Sequence, residues 1–289
     1  MMPARLSSVQ SSYQKSAVIS HNTALSSNPK TNKNPHFTGA HHMSPAHTSG
    51  VLNTCPGAGF CQKTCLHYAG NPAYMSGKIN KRKRQTIAFA TNNGLYVETL
   101  ALAISRQVFK NDGETTAVRL NATSDIQWEN IPFTLGSDSA FYIRSNYGLN
   151  VNAGFYDSIL HFIKDNGLPV ISYDYTKIKR DWNKCRRLGY FLTASYDGNL
   201  NTANHKICRD AIENNVNVAV AFNIKKSQEL PLYVENFLGY DGRVFCVVDG
   251  DLSDARYDDI QAGQIIGLRF KIPRGIPYTN ADILNFCHT

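Results

Sequence analysis

From residue 112 onward the chain alternates short β-branched or aromatic runs with stretches of helical pattern, a rhythm that few architectures accommodate. The runs are TTAVRLN (115–121), PVISYDY (169–175), YFLTASY (190–196), VNVAVAFN (216–223), VFCVVDG (244–250) and QIIGLRFK (264–271). Between and after them, AGFYDSILHFIKDNG, TKIKRDWNKCRRL, TANHKICRDAIENN and NADILNFC read as helices. Strands that take turns with helices are joined by crossovers and lie parallel in one sheet. With SGVLNT (49–54) as a first strand the count reaches seven. The expectation is an α/β fold, a TIM-like (β/α) barrel that is complete or partial, with an open doubly wound sheet as second choice. At 289 residues with 42% apolar side chains, the chain can bury the core such a fold needs.

The segment before residue 112 is different. Residues 1–35 are rich in Ser, Asn, Gln, Lys and Thr without periodicity and read as a disordered basic arm, leaving 36–289 as a single barrel-like domain. Residues 36–74 are dense in Gly, Pro, His and Cys, a composition for loops that wrap around something, with the cysteines in a loop at 53–69. Residues 76–111 read as two helices, or one interrupted near Asn92-Asn93-Gly94. Charge follows the same division: residues 1–97 hold ten basic residues and no acid, leaving 20 basic against 22 acidic beyond. That asymmetry points to a phosphate-bearing partner, nucleotide or nucleic acid, and the run Lys81-Arg82-Lys83-Arg84 is either a solvated helix face or its contact. No apolar stretch is long enough to span a membrane and no secretory signal is seen, so no membrane partner and a cytoplasmic location are expected. Oligomeric state is not legible.

In a parallel sheet the site forms at the carboxyl ends of the strands. There the sequence places Asn121, Ser124, Asp125 and Glu129; Asp174 and Lys177; Ser195; Asn223; and Asp249. Asn121, Ser124, Ser195 and Asn223 are candidates for holding a cofactor, and Asp125, Glu129, Asp174, Lys177 and Asp249 for catalysis. Asp249, Asp251 and Asp254 with Arg256 form either a hard-cation turn or a capped turn neutralised by arginine.

Cys55, Cys61 and Cys65 lie in a Gly-rich loop as Cys-x5-Cys-x3-Cys, close enough in sequence to reach one soft metal. Seven cysteines without an export signal argue against a disulfide framework. Zinc, closed by His67 or by one of His41, His42 and His47, and an iron–sulfur cluster with one open iron both suit three thiolates. Cys185, Cys208, Cys246 and Cys287 read as ordinary buried thiols.

A three-cysteine loop on an α/β barrel resembles the layout of radical S-adenosylmethionine enzymes, which implies that cofactor on an iron–sulfur cluster. The spacing departs from their Cys-x3-Cys-x2-Cys at both gaps, and Thr64 stands where they carry an aromatic. A closer resemblance is to the phage gene product 88 family. It rests on Thr54-Cys55-Pro56-Gly57-Ala58 with Cys61, Cys65 and Tyr68-Ala69, on RLNATSDIQWE, on Tyr173 to Lys177, on Leu192 to Ser195, and on the turn Asp249 to Arg256 before Ile-Gly-Leu. It implies a phage origin, an α/β core over about residues 36 to 272, and no assigned activity.

Two functions follow. One is an enzyme with a metal or iron–sulfur loop at the carboxyl end of the sheet, acting on a nucleotide-like substrate. The other is a DNA- or RNA-binding replication accessory in which Lys81, Arg82, Lys83 and Arg84 neutralise phosphates and a structural zinc braces the loop. Rolling-circle nicking is disfavoured because no His-x-His exists to place two rings on one strand face. Phosphate-loop, dinucleotide-binding and hydrolase-elbow motifs are also missing.

Overall fold

The computed structural model describes residues 20–21, 24–27, 31–65, 67, 75–198, 202–271 and 279–288. Its strands are β1 (Leu25–Ser26), β2 (Phe37–His41), β3 (Thr116–Arg119), β4 (Phe133–Leu135), β5 (Gly154–Tyr156), β6 (Val170–Thr176), β7 (Tyr190–Ser195), β8 (Val218–Phe222), β9 (Tyr233–Glu235), β10 (Val244–Asp249) and β11 (Ile265–Arg269). Its helices are α1 (Met75–Thr91), α2 (Asn93–Lys110), α3 (Ser137–Tyr147), α4 (Ile159–Asp165), α5 (Trp182–Arg187), α6 (Thr202–Glu213) and α7 (Asn280–Phe286). No described helix is long and apolar enough to cross a membrane.

The main sheet has nine strands in the order β1-β2-β3-β6-β7-β8-β11-β10-β9, all parallel except the two edges. It is an open series, so among the described residues no closed barrel is present. From β2 through β8 each crossover steps the same way, and right-handed connections then lay their helices on one face. That face carries the main core, where Val118, Leu192 and Val220 meet Leu100, Ile104, Phe162, Trp182 and Ile212. The step from β10 to β11 runs backwards, so a right-handed connection must pass over the opposite face. It does: Ala255 and Tyr257 pack there against Ala117, Ile171 and Tyr173.

All six runs after residue 112 form strands, since β-branched and aromatic runs of this length suit a sheet; β3, β6, β7, β8 and β11 are largely covered on both faces, and β10 on one. The break between α1 and α2 falls where Asn92 accepts from the Leu95 amide at 3.0 Å as an N-cap. Three expectations need correction. Residues 49–54 are not a strand; the Ser49 hydroxyl there accepts from the amides of Val51 and Leu52 in a turn. The first parallel strand is instead β2, hidden by its Gly and His content, and a Cβ at Gly39 would stand 3.2 Å from Leu25 of β1. Ahead of it, Ala24 is buried and Leu25–Ser26 pair with His41 and Ala40, so ordered structure reaches into the expected arm, whose residues 1–19 lie outside the described residues. Finally, residues 153–167 are not all helix: β5 pairs with β4 as a separate hairpin, and Ser158 caps α4.

Candidate functional site

The cysteine loop lies across the carboxyl ends of β3, β6 and β7, held by groups that follow each strand. After β3, the Asp125 amide donates to the Thr54 carbonyl at 2.7 Å and the Thr123 carbonyl lies 3.8 Å from Cys55 Sγ. After β6, the Lys177 carbonyl lies so close to Gly57 that a Cβ there would stand 2.7 Å from it, so only glycine permits the approach. After β7, the buried Asp197 carboxylate accepts the Gly59 amide at 2.7 Å and the Cys61 amide at 2.8 Å. Lys63 of the loop reaches Asp282 of α7 at 2.7 Å.

Burial governs the three thiols. It pushes Cys61 up to about 12, against the pull of Lys177 and with Cys65, Asp197 and Cys55 adding to the rise. It pushes Cys55 up to about 11, where Asp125 and Cys65 act in the same direction, and it raises Cys65 against the pull of Arg82 and Lys177. The three sulfurs are therefore within each other's electrostatic reach and favour their neutral forms. Among the described residues no three His, Cys, Asp or Glu side chains are placed to hold one metal ion. Cys185, Cys208 and Cys287 are buried and form no disulfide, as expected; Cys246 is exposed, since it lies on the uncovered face of β10.

The histidines near the loop are already engaged. His41 is fully buried, with Nε2 2.6 Å from the Tyr96 hydroxyl and Nδ1 3.0 Å from the Leu120 carbonyl. Arg82 donates to Nδ1 of His67 at 2.6 Å and to Nδ1 of His42 at 3.2 Å. Burial first, then the Arg82 charge, lowers His67 to about 4 and His42 to about 2. Both rings are neutral at pH 7. His47 is exposed.

Several expected site residues serve the architecture. Asn121 is a hub: its Oδ1 accepts from Ser124 Oγ, the Ile126 amide and Trp128 Nε1, and its Nδ2 donates to the Ile126 carbonyl and the Tyr190 hydroxyl. Ser124 is thereby committed to the same turn. Asp125 and Glu129 share Arg180, which lies 2.7 Å from Asp125 and 2.8 Å from Glu129 with its side chain fully buried. Asp125 also accepts from Thr176 Oγ1 and the Lys177 amide. Asp174 accepts from the Asn121 amide and the Tyr190 hydroxyl, and burial raises it to about 7. Asp249 meets Arg269 at 2.9 Å, Asp251 accepts the Arg269 amide, and Asp254 meets Arg119 at 3.1 Å. Asp249 and Asp251 thus share Arg269 while Asp254 pairs with Arg119, as in a neutralised turn, and Arg256 pairs with Asp259 instead.

Lys177 and Ser195 do come together beneath the loop. Lys177 Nζ donates to Ser195 Oγ at 2.7 Å, to the Ser195 and Tyr196 carbonyls, and lies 4.0 Å from Asp197. Asn223 is exposed at the end of β8, and no contact of its side chain ties it to the loop among the described residues. The basic run does not share a face: Arg82 is buried while Lys83 and Arg84 are exposed and Lys81 is half-buried, as four successive residues on a helix must be. Asp197 stands among the polar residues just past the run 190–196, but nothing in the sequence marked the amides it clamps, Arg180, or the Arg82–His42–His67 contact, because each joins positions apart in the chain.

The chain belongs to the gene product 88 family, whose model matches residues 15–274. Comparison with curated proteins and with solved structures gives no match for either. The family match bears out the second resemblance drawn from the sequence; the likeness to radical S-adenosylmethionine enzymes gains nothing from it.

Proposed function

We propose that this member of the gene product 88 family is a metal or iron–sulfur protein whose Cys55, Cys61 and Cys65 hold the group at the carboxyl end of a partly barrel-like sheet. The function is enzymatic, on a nucleotide-like substrate. The observation that carries the reading is the pinning of the Gly-rich loop by Asp197, Gly57 and Asp125, which fixes the stretch bearing Cys55 and Cys61 over the strand ends. Thiols so desolvated ionise together only around a cation, which exchanges their mutual repulsion for ligation. Binding requires the loop to draw its sulfurs closer than they stand.

The histidines favour a cluster over closed zinc. A ring that accepts from Arg82 at Nδ1 keeps its proton on Nε2, and ligation through either nitrogen would set N–H against N–H or displace Arg82. His41 is occupied on both nitrogens. Three sulfurs without a histidine leave one position open, where a small ligand such as S-adenosylmethionine would bind if the group is a four-iron cluster. Lys177, beside Ser195, supplies a positive charge at the same rim. A second reading keeps the nucleic-acid partner, supported by exposed Lys83 and Arg84, but it loses Arg82 to the interior.

The test is anaerobic purification with metal and sulfide analysis and an absorption spectrum. Iron with sulfide and a broad band near roughly 400 nm is the expected result. Stoichiometric zinc would replace the cluster by a brace, and neither metal refutes the reading. Cys61→Ala should lose the metal and Cys208→Ala should keep it; equal content in both variants rejects the ligand assignment.

A further inference from the structure

Among the described residues, the two buried guanidinium groups other than that of Arg82, those of Arg180 and Arg256, meet carboxylates, as do the partly buried Arg119 and Arg269. Arg180 has Asp125 and Glu129, Arg119 has Asp254, Arg256 has Asp259, and Arg269 has Asp249 and Asp251. Arg82 does not follow the rule. It is 6% exposed, and among the described residues no carboxylate lies within ion-pairing distance of it. Its two terminal nitrogens donate to neutral imidazoles, and among the described residues its buried Nε–H has no partner; Nε of Arg119 and of Arg256 is also unpartnered, but each of those guanidinium groups meets a carboxylate through another nitrogen. Cys65 acts on Arg82 electrostatically, but burial favours the neutral form of that thiol, and a cation withdrawn from water without a counter-charge is strongly disfavoured. Helix α1 brings no relief, since MSGKINKRKRQTIAFAT contains no acid and Lys78 and Lys81 add to the positive field around Arg82.

The surroundings are shaped to donate. Because His42 accepts from Arg82 at Nδ1, its neutral ring carries the proton on Nε2, where it can only donate. Thr123 does not compete for that nitrogen, as its hydroxyl donates to the Met43 carbonyl at 2.7 Å. Arg119, on the neighbouring strand, also acts on His42 with positive charge.

We infer that an anion from outside the chain completes this site: the phosphate or carboxylate group of a small ligand, held by Arg82 Nε–H. Arg82 is buried, out of reach of a nucleic-acid backbone lying on the surface, so the anion belongs to a molecule small enough to enter beside the cysteine loop. Through His67, Arg82 also touches the segment that carries Cys65, which puts the anion at the rim of the thiol site. Its role as the anchor of the substrate rests on the enzymatic reading above; the anion site does not.

The test follows the Arg82 Nε–H resonance of the full-length 15N-labelled protein through titrations with inorganic phosphate and with acetate at constant ionic strength. A saturable shift with either ion is expected, and which ion produces it identifies the ligand group. Arg82→Lys, which keeps the charge but loses the fork, should weaken that binding at least about tenfold, while Lys83→Gln on the exposed face leaves it unchanged. A resonance that neither ion moves overturns the inference even if the variants fail to fold, as does equal binding by wild type and Arg82→Lys. Cys61→Ala separates the two proposals: it should lose metal and keep the anion. A wild-type protein that binds phosphate without holding any metal sinks the metal reading and leaves this one standing.

Discussion

Asp197→Asn should release the cysteine loop without unfolding the sheet beneath it. The carboxylate is wholly buried and accepts two short amide bonds, from Gly59 and Cys61, one through each oxygen. Asparagine keeps one oxygen but presents an NH2 to the other amide, so one charge-assisted bond is lost and the remaining one becomes neutral. A hydrogen bond to a charged group contributes about 1.5–3 kcal/mol and a neutral one about 1. The net loss is then about 2–5 kcal/mol, felt first by the loop, which translates to roughly 30- to 4,000-fold faster opening. Amide hydrogen exchange reads this directly: Gly59 and Cys61 should lose protection by that factor, while the β6 amide of Asp174 keeps its own. The loop thiols should also react faster with an alkylating reagent. Unchanged exchange at Gly59 and Cys61 would show that Asp197 does not clamp the loop, and a uniform loss of protection would show that it supports the whole domain instead.

How far the sequence could be read depended on whether the interactions were local. The strand runs from Thr116 to Arg269 were legible because β-branched and aromatic side chains concentrated in short runs are a local preference for strand, and the Asn92 break because an N-cap is a property of adjacent residues. β2 was not legible: FTGAH reads as loop, and becomes a strand only because β3 offers a partner on one side and β1 on the other. The openness of the sheet was equally hidden, since it depends on β10 lying beyond β11, a spatial order that alternation does not encode. At the site, the acids at the strand ends were correctly placed but their partners were not visible. Asp125 and Glu129 looked available because Arg180, some fifty residues on, carries no spacing signal, and Asn121 looked like a ligand group because its five bonds all come from tertiary closure. Arg82 shows the reverse error: a run of four cations in sequence is four directions on a helix.

Two further perturbations address the buried charges. Arg180→Met strands Asp125 and Glu129 without their cation and should cost about 3–5 kcal/mol, the usual consequence of breaking a buried ion pair from one side; a thermal melt should fall by roughly 10 °C, and a melt within about two degrees of wild type would mean the carboxylates find other partners. Asp174 tests linkage with a definite sign. Burial raises its carboxyl to about 7, against the opposing pull of Arg119, the Tyr190 hydroxyl and the Asn121 amide, from an ordinary value of 3.8. Between those values the native state holds a proton that the unfolded chain has released, so this group's contribution to stability is complete below about pH 4, declines as pH rises and is gone above about 7. Asp174→Asn cannot ionise and keeps an acceptor for Tyr190, so it lacks that decline. Urea melts at pH 5 and pH 8 should show the stability difference between variant and wild type moving in favour of the variant at the higher pH. A difference that stays constant, or moves the other way, would mean that Arg119, whose Nε lies 3.8 Å away, already holds Asp174 ionised throughout.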